Sequence, residues 1–140
     1  MVALGLVVAE FNGSVTGPME EAARERAAEL DADIAATVRV PGAYDAPLAA
    51  DRLARRDGVD AVAVLGAIVT GDTEHDRVIG DAIADRLSGV SLDRDTPVTL
   101  GVTGPGMSGA EARERTDKGG EAVESAVSLV ETLPNTDSEP

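Results

Sequence analysis

The chain of 140 residues has no cysteine and no tryptophan, and it contains one histidine, one phenylalanine and one tyrosine. Without cysteine there is no disulfide framework and no zinc–thiolate site, and one histidine cannot build a histidine-rich metal centre within a subunit. A domain of this length buries about 68–70% of its unfolded surface, so it needs no such cross-link. We expect one domain over residues 1–133 with a core of Val, Ile, Leu and Ala.

Long apolar runs are also missing. No stretch approaches the roughly 20 residues that a membrane-spanning helix needs. The first residues, MVALGLVVAEFNGS, have no basic leader and are typical of a first strand rather than of a signal peptide. The sequence therefore predicts a soluble cytoplasmic protein.

Basic residues are scarce. Asp and Glu number 26 against 12 for Lys and Arg, which gives a net charge of −14, and Lys118 is the only lysine. Such a surface repels nucleic-acid phosphates, which argues against a nucleic-acid partner. The acids are spread over every segment, which favours a solvated surface suited to high salt over a local acidic patch. This interpretation predicts a fold that loosens when salt is removed.

The apolar residues follow two alternating periodicities. Runs typical of strands covered on both faces lie at residues 3–10, 33–40, 60–70 and 96–103. Helical spacing predicts helices over about 16–31, 46–57, 75–87 and 110–133. Thr16 is expected to cap the first helix. The third is expected to share one apolar face among Val78, Ile79, Ala82, Ile83 and Leu87.

This alternation of four strands with four helices predicts an α/β protein with a four-stranded parallel sheet between two layers of helices. Residues 134–140, PNTDSEP, contain turn formers and acids without an apolar anchor. We expect them to form a flexible acidic tail.

Ligands of an open parallel sheet bind outside the carboxyl ends of its strands. The four turns predicted there read EFNGS, VPGAYD, TGDTEHD and TGPGMSG. They contain both aromatic residues of the chain, Phe11 and Tyr44, as well as Met107 and its only histidine, His75. Their joint placement at one edge of the sheet indicates a ligand site.

The first two turns allow two interpretations each. Phe11 could plug the end of the sheet or stack on a planar heterocycle, and the sequence does not decide between them. Asp45 could cap the helix that starts at Ala46, which the pattern slightly favours. Its carboxylate could instead accept hydrogen bonds from sugar-type hydroxyls.

The segment GDTEH opens a helix, where free amides and the helix dipole attract anions. Thr73 could cap this helix or donate to a phosphate, whereas Asp72 would have to turn its carboxylate away. His75 could be a plain surface residue, but an imidazole with a pKa of about 6.5 transfers protons in both directions near neutral pH. Proton transfer is therefore the chemistry that this turn best supports.

Two arginines lie near the start of the last predicted helix. Arg113 and Arg115 could form intrahelical ion pairs with nearby glutamates, which contribute little to stability. Alternatively, one of them could bind a phosphate through its planar guanidinium. Lys118 is interpreted as a surface residue.

Five segments at strand ends carry a resemblance to a known family. They are AEFN (9–12), VPGAYDAPLA (40–49), GAIVTGDTEHD (66–76), PVTLGVTGPGM (97–107) and EARER (111–115). Each is modest alone, but in this order and spacing the chain resembles 6,7-dimethyl-8-ribityllumazine synthases of the short archaeal type over residues 3–133.

The resemblance implies a flavodoxin-like three-layer α/β/α sandwich and a role in riboflavin biosynthesis. The family condenses 5-amino-6-(D-ribitylamino)uracil with 3,4-dihydroxy-2-butanone 4-phosphate, releases phosphate and water, and needs no cofactor or metal. Its members are pentamers with active sites between adjacent subunits, and some assemble twelve pentamers into an icosahedral shell.

The resemblance also implies roles for individual residues. The pyrimidinedione and its ribityl chain would contact Phe11, Ala43, Tyr44, Asp45, Ala67, Ile68, Val69 and Leu100. Phe11 would stack on the ring, and Leu100 would come from the neighbouring subunit. Many members have an aromatic residue in place of Leu100, so this stacking partner would be lost.

The remaining implied roles concern the phosphorylated ketone. Asp72, Thr73 and Arg115 would hold its phosphate, and His75 would be the acid/base. Two alternatives stay open: the related archaeal-type riboflavin synthase, and a shell protein whose site has decayed. The intact GDTEH segment and Arg115 argue against decay.

Overall fold

The computed structural model describes residues 1–69 and 75–133, and the side chain of His75 lies outside this description. The strands are β1 (Ala3–Ala9), β2 (Asp33–Val40), β3 (Ala61–Val69) and β4 (Val98–Met107). The helices are α1 (Gly13–Glu29), α2 (Ala46–Ala54), α3 (His75–Arg94), α4 (Gly109–Arg113) and α5 (Lys118–Thr132). A 3₁₀ turn, Ala43–Asp45, precedes α2.

All four strands are parallel and lie in the order β2-β1-β3-β4, which leaves β2 and β4 at the edges. One apolar core lies between the sheet and helices α1 and α5, and a second lies between the sheet and helices α2 and α3. The α/β/α sandwich predicted from the sequence is therefore confirmed. No helix in the described part of the chain is long and apolar enough to cross a membrane.

Two glycines allow close packing on the α5 side of the sheet. A Cβ at Gly119 would overlap the carbonyl oxygen of Met19, so α5 lies directly against α1. A Cβ at Gly101 would come within 2.8 Å of the Ala122 Cβ, so α5 also lies close to β4. These contacts fix where α5 begins.

The first helix begins earlier than predicted. It starts at Gly13, after Asn12 in the left-handed conformation (φ 63°). Thr16 is buried within the helix, and its hydroxyl lies 3.5 Å from the Asn12 carbonyl oxygen, so the prediction that Thr16 is the cap is wrong. Asparagine tolerates the left-handed region better than most residues, which places the turn at Asn12.

The last predicted helix is in fact two helices. Ser108 caps α4 by accepting a hydrogen bond from the Glu111 amide (3.1 Å), and the chain turns over residues 114–117 before α5 begins at Lys118. The prediction of one continuous helix is wrong because α4 has its own cap, whereas Gly119 fixes the start of α5 against α1.

The inward face predicted for α3 is partly wrong. Ile83 and Leu87 are buried, but Val78 is 67% exposed and Ala82 is also exposed. Helix α3 extends to Arg94, and β4 extends to Met107, both beyond their predicted ends. The predicted tail, 134–140, lies outside the described residues.

Candidate active site

A cavity of about 260 Å³ opens where β1 and β3 end, on the side of α2 and α3. We call it the Phe11 cavity. Its lining is Phe11, Asn12, Gly42, Ala43, Tyr44, Ala67, Ile68, Val69, Asp76 and Ile79. Six of these residues were predicted for the site, and they come from three separate segments: Phe11, Ala43, Tyr44, Ala67, Ile68 and Val69. The cavity lies at the carboxyl ends of the strands, where parallel sheets usually hold their ligands.

The two aromatic rings of the chain lie at the rim of this cavity. Phe11 is 69% exposed and Tyr44 is 70% exposed. A ring that plugged the end of the sheet would be buried, so the plug interpretation is wrong, and stacking on a heterocycle stays a prediction. Both rings offer apolar surface to a planar ligand.

Backbone hydrogen bonds hold the turn that carries Phe11. The Glu10 amide donates to the Val40 carbonyl (2.8 Å), and the Phe11 amide donates to the Pro41 carbonyl (2.9 Å). The Asn12 side-chain amide donates to the Ala67 carbonyl (3.1 Å) and ties the end of β1 to the end of β3. Asn12 is a cavity residue that the sequence analysis did not single out, although it lies in the AEFN segment.

Small residues let the next turn approach the sheet. A Cβ at Gly66 would lie 3.3 Å from the Ala43 Cβ, which is tighter than an ordinary contact. Ala43 is accordingly buried, while Tyr44, the next residue, is exposed. The turn therefore presents the tyrosine ring to the cavity and its backbone to β3.

Asp45 does not line the Phe11 cavity. Its carboxylate accepts a hydrogen bond from the Gly42 amide (3.1 Å) and so closes the 3₁₀ turn. Asp45 occupies the N-cap position of α2, but its side chain accepts no hydrogen bond from the helix amides, so the capping interpretation is wrong. Asp45 lines a neighbouring groove with Leu48 and Arg52 instead.

Arg115 and Leu100 lie away from the Phe11 cavity. Leu100 is on the edge strand β4, is 43% exposed, and lines a groove beside α5. Arg115 lines a second cavity of about 290 Å³, which we call the Arg115 cavity. Its other lining residues are Val102, Thr103, Gly104, Met107, Asp117, Lys118 and Glu121.

The Arg115 cavity contains two available cations. Neither Arg115 nor Lys118 forms an ion pair with any described residue. Lys118 is half-buried there, so its interpretation as a plain surface residue is incomplete. The one feature of the sequence that could have drawn attention to Lys118 is that the chain has no other lysine. Both cations can donate hydrogen bonds to an anion, but Asp117 and Glu121 line the same cavity and offset their charge.

Other arginines are held by carboxylates outside the lining of both cavities. Hydrogen bonds from Arg39 lower the pKa of the Glu20 carboxyl, with a further contribution from Arg24. Hydrogen bonds from Arg94 lower the pKa of Asp51 in the same way. None of these paired residues lines the Phe11 cavity or the Arg115 cavity.

Three predicted residues cannot be placed. Asp72 and Thr73 lie outside the described residues, as does the His75 side chain. The backbone of His75 begins α3, directly before Asp76 of the Phe11 cavity. Their roles stay predictions.

The fold and the two cavities define an α/β protein that binds small ligands at the carboxyl edge of a parallel sheet. The family model for 6,7-dimethyl-8-ribityllumazine synthase matches residues 1–134. The chain belongs to the 6,7-dimethyl-8-ribityllumazine synthase family.

Relatives that carry this family's name span almost the whole chain. The synthase of Halobacterium salinarum is 74% identical over 133 residues, covering 95% of this chain and 100% of the relative. That of Halorubrum lacusprofundi is 72% identical, covering 95% and 99%. That of Methanococcus maripaludis strain C5 is 46% identical, covering 95% and 97%. The first two come from halophilic archaea, which supports the high-salt interpretation of the surface charge.

Proposed function

We propose that the chain catalyses the condensation of 5-amino-6-(D-ribitylamino)uracil with 3,4-dihydroxy-2-butanone 4-phosphate to 6,7-dimethyl-8-ribityllumazine. This is the penultimate step of riboflavin biosynthesis, a transferase reaction that releases phosphate and water. Family membership supports the reaction. The observation that carries it is the Phe11 cavity, where an exposed aromatic ring faces the end of β3.

The Phe11 cavity would hold the pyrimidinedione substrate. Phe11 stacks on the ring, while the backbone of Ala67, Ile68 and Val69 reads its polar edge. Ala43 and Tyr44 lie along the ribityl chain. The Asp45 carboxylate closes this turn by accepting a hydrogen bond from the Gly42 amide. It would also accept a hydrogen bond from a ribityl hydroxyl, although it does not line the cavity.

The chemistry consists of proton transfers around two additions and an elimination. The 5-amino group adds to the ketone and loses water to give an imine, phosphate is eliminated and the resulting enol tautomerises to a carbonyl. The ribitylamino nitrogen then adds to that carbonyl and loses a second water, which closes the ring. His75 acts as the acid/base for these transfers. Holding both substrates together removes an entropic barrier of up to about 7–11 kcal/mol in well-oriented cases.

Phosphate would be held by Arg115 together with Asp72 and Thr73. Because Arg115 and Leu100 do not line the Phe11 cavity of the same chain, we infer that a neighbouring copy completes the site. We propose a homopentamer, or a multiple of pentamers such as an icosahedral shell, with active sites between adjacent subunits. The exposed Val78 and Leu92 of α3 give it apolar contact surface. We also propose that the protein is cytoplasmic, as predicted from the sequence.

The direct test mixes the purified protein with both substrates and follows the absorbance and fluorescence of the lumazine. Formation of the product, with release of one phosphate per turnover, supports the proposal. Sedimentation on the same sample measures the assembly. An assembled, folded protein that forms no lumazine would contradict the assignment and favour the decayed shell protein.

A further inference from the structure

The Phe11 cavity contains one carboxylate that the sequence did not point to. Asp76 lies in the first turn of α3 and lines the cavity beside apolar side chains such as Ile68, Val69 and Ile79. Among the residues that the structure describes, it is the only charged side chain in the lining. A charge at an otherwise apolar wall calls for a ligand that can satisfy it.

The Asp76 carboxylate has no protein partner in the described part of the chain. It forms no hydrogen bond or ion pair within residues 1–69 and 75–133, although it is half-buried. The carboxylate of Asp45 differs, because it already accepts a hydrogen bond from Gly42 and faces the neighbouring groove. Of the two carboxylates near this turn, Asp76 is the one available to a ligand in the cavity.

The helix dipole gives a structural reason for an acid in this turn. Negative charge is favourable near a helix N-terminus, wherever in the first turn it lies. That preference does not explain why the carboxylate lines a cavity without a partner among residues 1–69 and 75–133. The position of the side chain therefore points to recognition in addition to helix stability.

We propose that Asp76 is a substrate-binding residue that accepts hydrogen bonds from N–H or O–H groups of the pyrimidinedione substrate. This inference rests on the proposed function. The substrate offers such donors on its ring amines and on its ribityl hydroxyls, and an ionised carboxylate accepts hydrogen bonds only. The same charge repels the phosphate of the second substrate and so helps to keep the two substrates in separate subsites.

The experiment compares Asp76→Ala and Asp76→Asn with Asp81→Ala, an exposed aspartate on the same helix, as the matched control. Two binding probes are titrated by fluorescence. One is 6,7-dimethyl-8-ribityllumazine, and the other is 6,7,8-trimethyllumazine, which lacks the polyol. The KM of each substrate is measured alongside, and thermal melts verify folding.

We expect Asp76→Ala to weaken binding of the ribityl compound by about 10- to 100-fold, as for the loss of charge-assisted hydrogen bonds. Trimethyllumazine should bind equally to all variants, and Asp76→Asn should recover part of the loss. This pattern identifies the ribityl hydroxyls as the donors. If only the KM of the aminopyrimidine rises, the donor is its amine, which also supports the proposal.

Unchanged binding and unchanged KM values in Asp76→Ala would overturn the inference. The same holds if Asp45→Ala weakens binding of the ribityl compound by about 10- to 100-fold while Asp76→Ala does not weaken it. The proposed function is tested separately by product formation in the unaltered protein. A protein that makes lumazine without needing Asp76 refutes only this inference, and a protein that binds the ribityl compound through Asp76 without turnover refutes only the function.

Discussion

The Phe11 cavity and the Arg115 cavity differ in almost every chemical respect. The first, on the side of α2 and α3, has apolar walls, two exposed rings and one carboxylate. The second, on the side of α5, has two cations without an ion pair among the described residues, Arg115 and Lys118, and two carboxylates, Asp117 and Glu121. One suits a flat heterocycle with a polyol and the other suits an anion. Under the proposed function each cavity is a half-site, and two copies of the chain would join them.

The sharpest test of the comparison removes the His75 imidazole, whose backbone directly precedes Asp76 of the Phe11 cavity. General acid–base groups contribute about 10²–10⁴-fold, so we expect His75→Ala to lower kcat by about 100-fold or more. Stopped-flow or steady-state lumazine fluorescence measures this change. Product affinity and sedimentation should stay as in the unaltered protein, and a loss of less than about threefold would remove His75 from the mechanism.

The second prediction concerns the cation side. Arg115→Ala should raise the KM of the butanone phosphate by about 10- to 100-fold, because a charge-assisted contact to phosphate is lost. The KM of the pyrimidinedione should not change. Arg113→Ala, two residues earlier on the same segment, is the matched variant. If Arg113→Ala carries the effect and Arg115→Ala does not, the phosphate assignment moves to Arg113.

The third prediction concerns the stacking surface. Stacking of a base on an aromatic ring contributes about 1–3 kcal/mol, so Phe11→Ala should weaken binding of ribityllumazine by about 5- to 150-fold. Because Phe11 is largely exposed, the free energy of unfolding should change little. Fluorescence titration and urea denaturation measure the two quantities. A destabilised variant with unaltered product affinity would restore the plug interpretation.

Two threonines of β4, Thr99 and Thr103, are both buried but differ in their hydrogen bonding. The Thr99 hydroxyl donates to the Ala122 carbonyl (2.8 Å). The buried Thr103 hydroxyl has no partner within the described residues. Thr99→Val should lose about 1–3 kcal/mol of unfolding free energy, and Thr103→Val should be neutral or stabilising. Urea denaturation of both variants gives the comparison. Equal losses would mean that Thr103 has a structural partner.

The smallest expected effect concerns the ion pair of Arg39 and Glu20, which lines neither cavity. Arg39 lowers the pKa of Glu20, so the stabilisation is present above the ordinary glutamate pKa of about 4.3 and is lost as the pH falls through the lowered value. Glu20→Gln should reduce the loss of unfolding free energy between neutral and acid pH by less than about 1 kcal/mol. Exposed Glu21→Gln is the control, and equal behaviour of the two variants would show that the pair contributes nothing measurable.

The sheet could be predicted from the sequence because its strands are continuous apolar runs, as in β3, where eight of nine residues are buried. The edge that holds the ligand site followed from the parallel arrangement. The break between α4 and α5 could not be predicted, since it depends on the contact of Gly119 with Met19, a hundred residues apart in sequence. Asp76 and Lys118 were missed for a similar reason, because only the three-dimensional structure places them in cavities.

Helix α1 connects the two half-sites within a chain. It begins immediately after Asn12, which is bound to the end of β3, and Met19 meets Gly119 about 9 Å further along the helix axis, beside Lys118. The helix therefore acts as a rigid spacer of fixed length. Any side chain larger than hydrogen at residue 119 would push the lysine outward relative to Asn12, and in a closed ring of copies the same misalignment would recur at every joint.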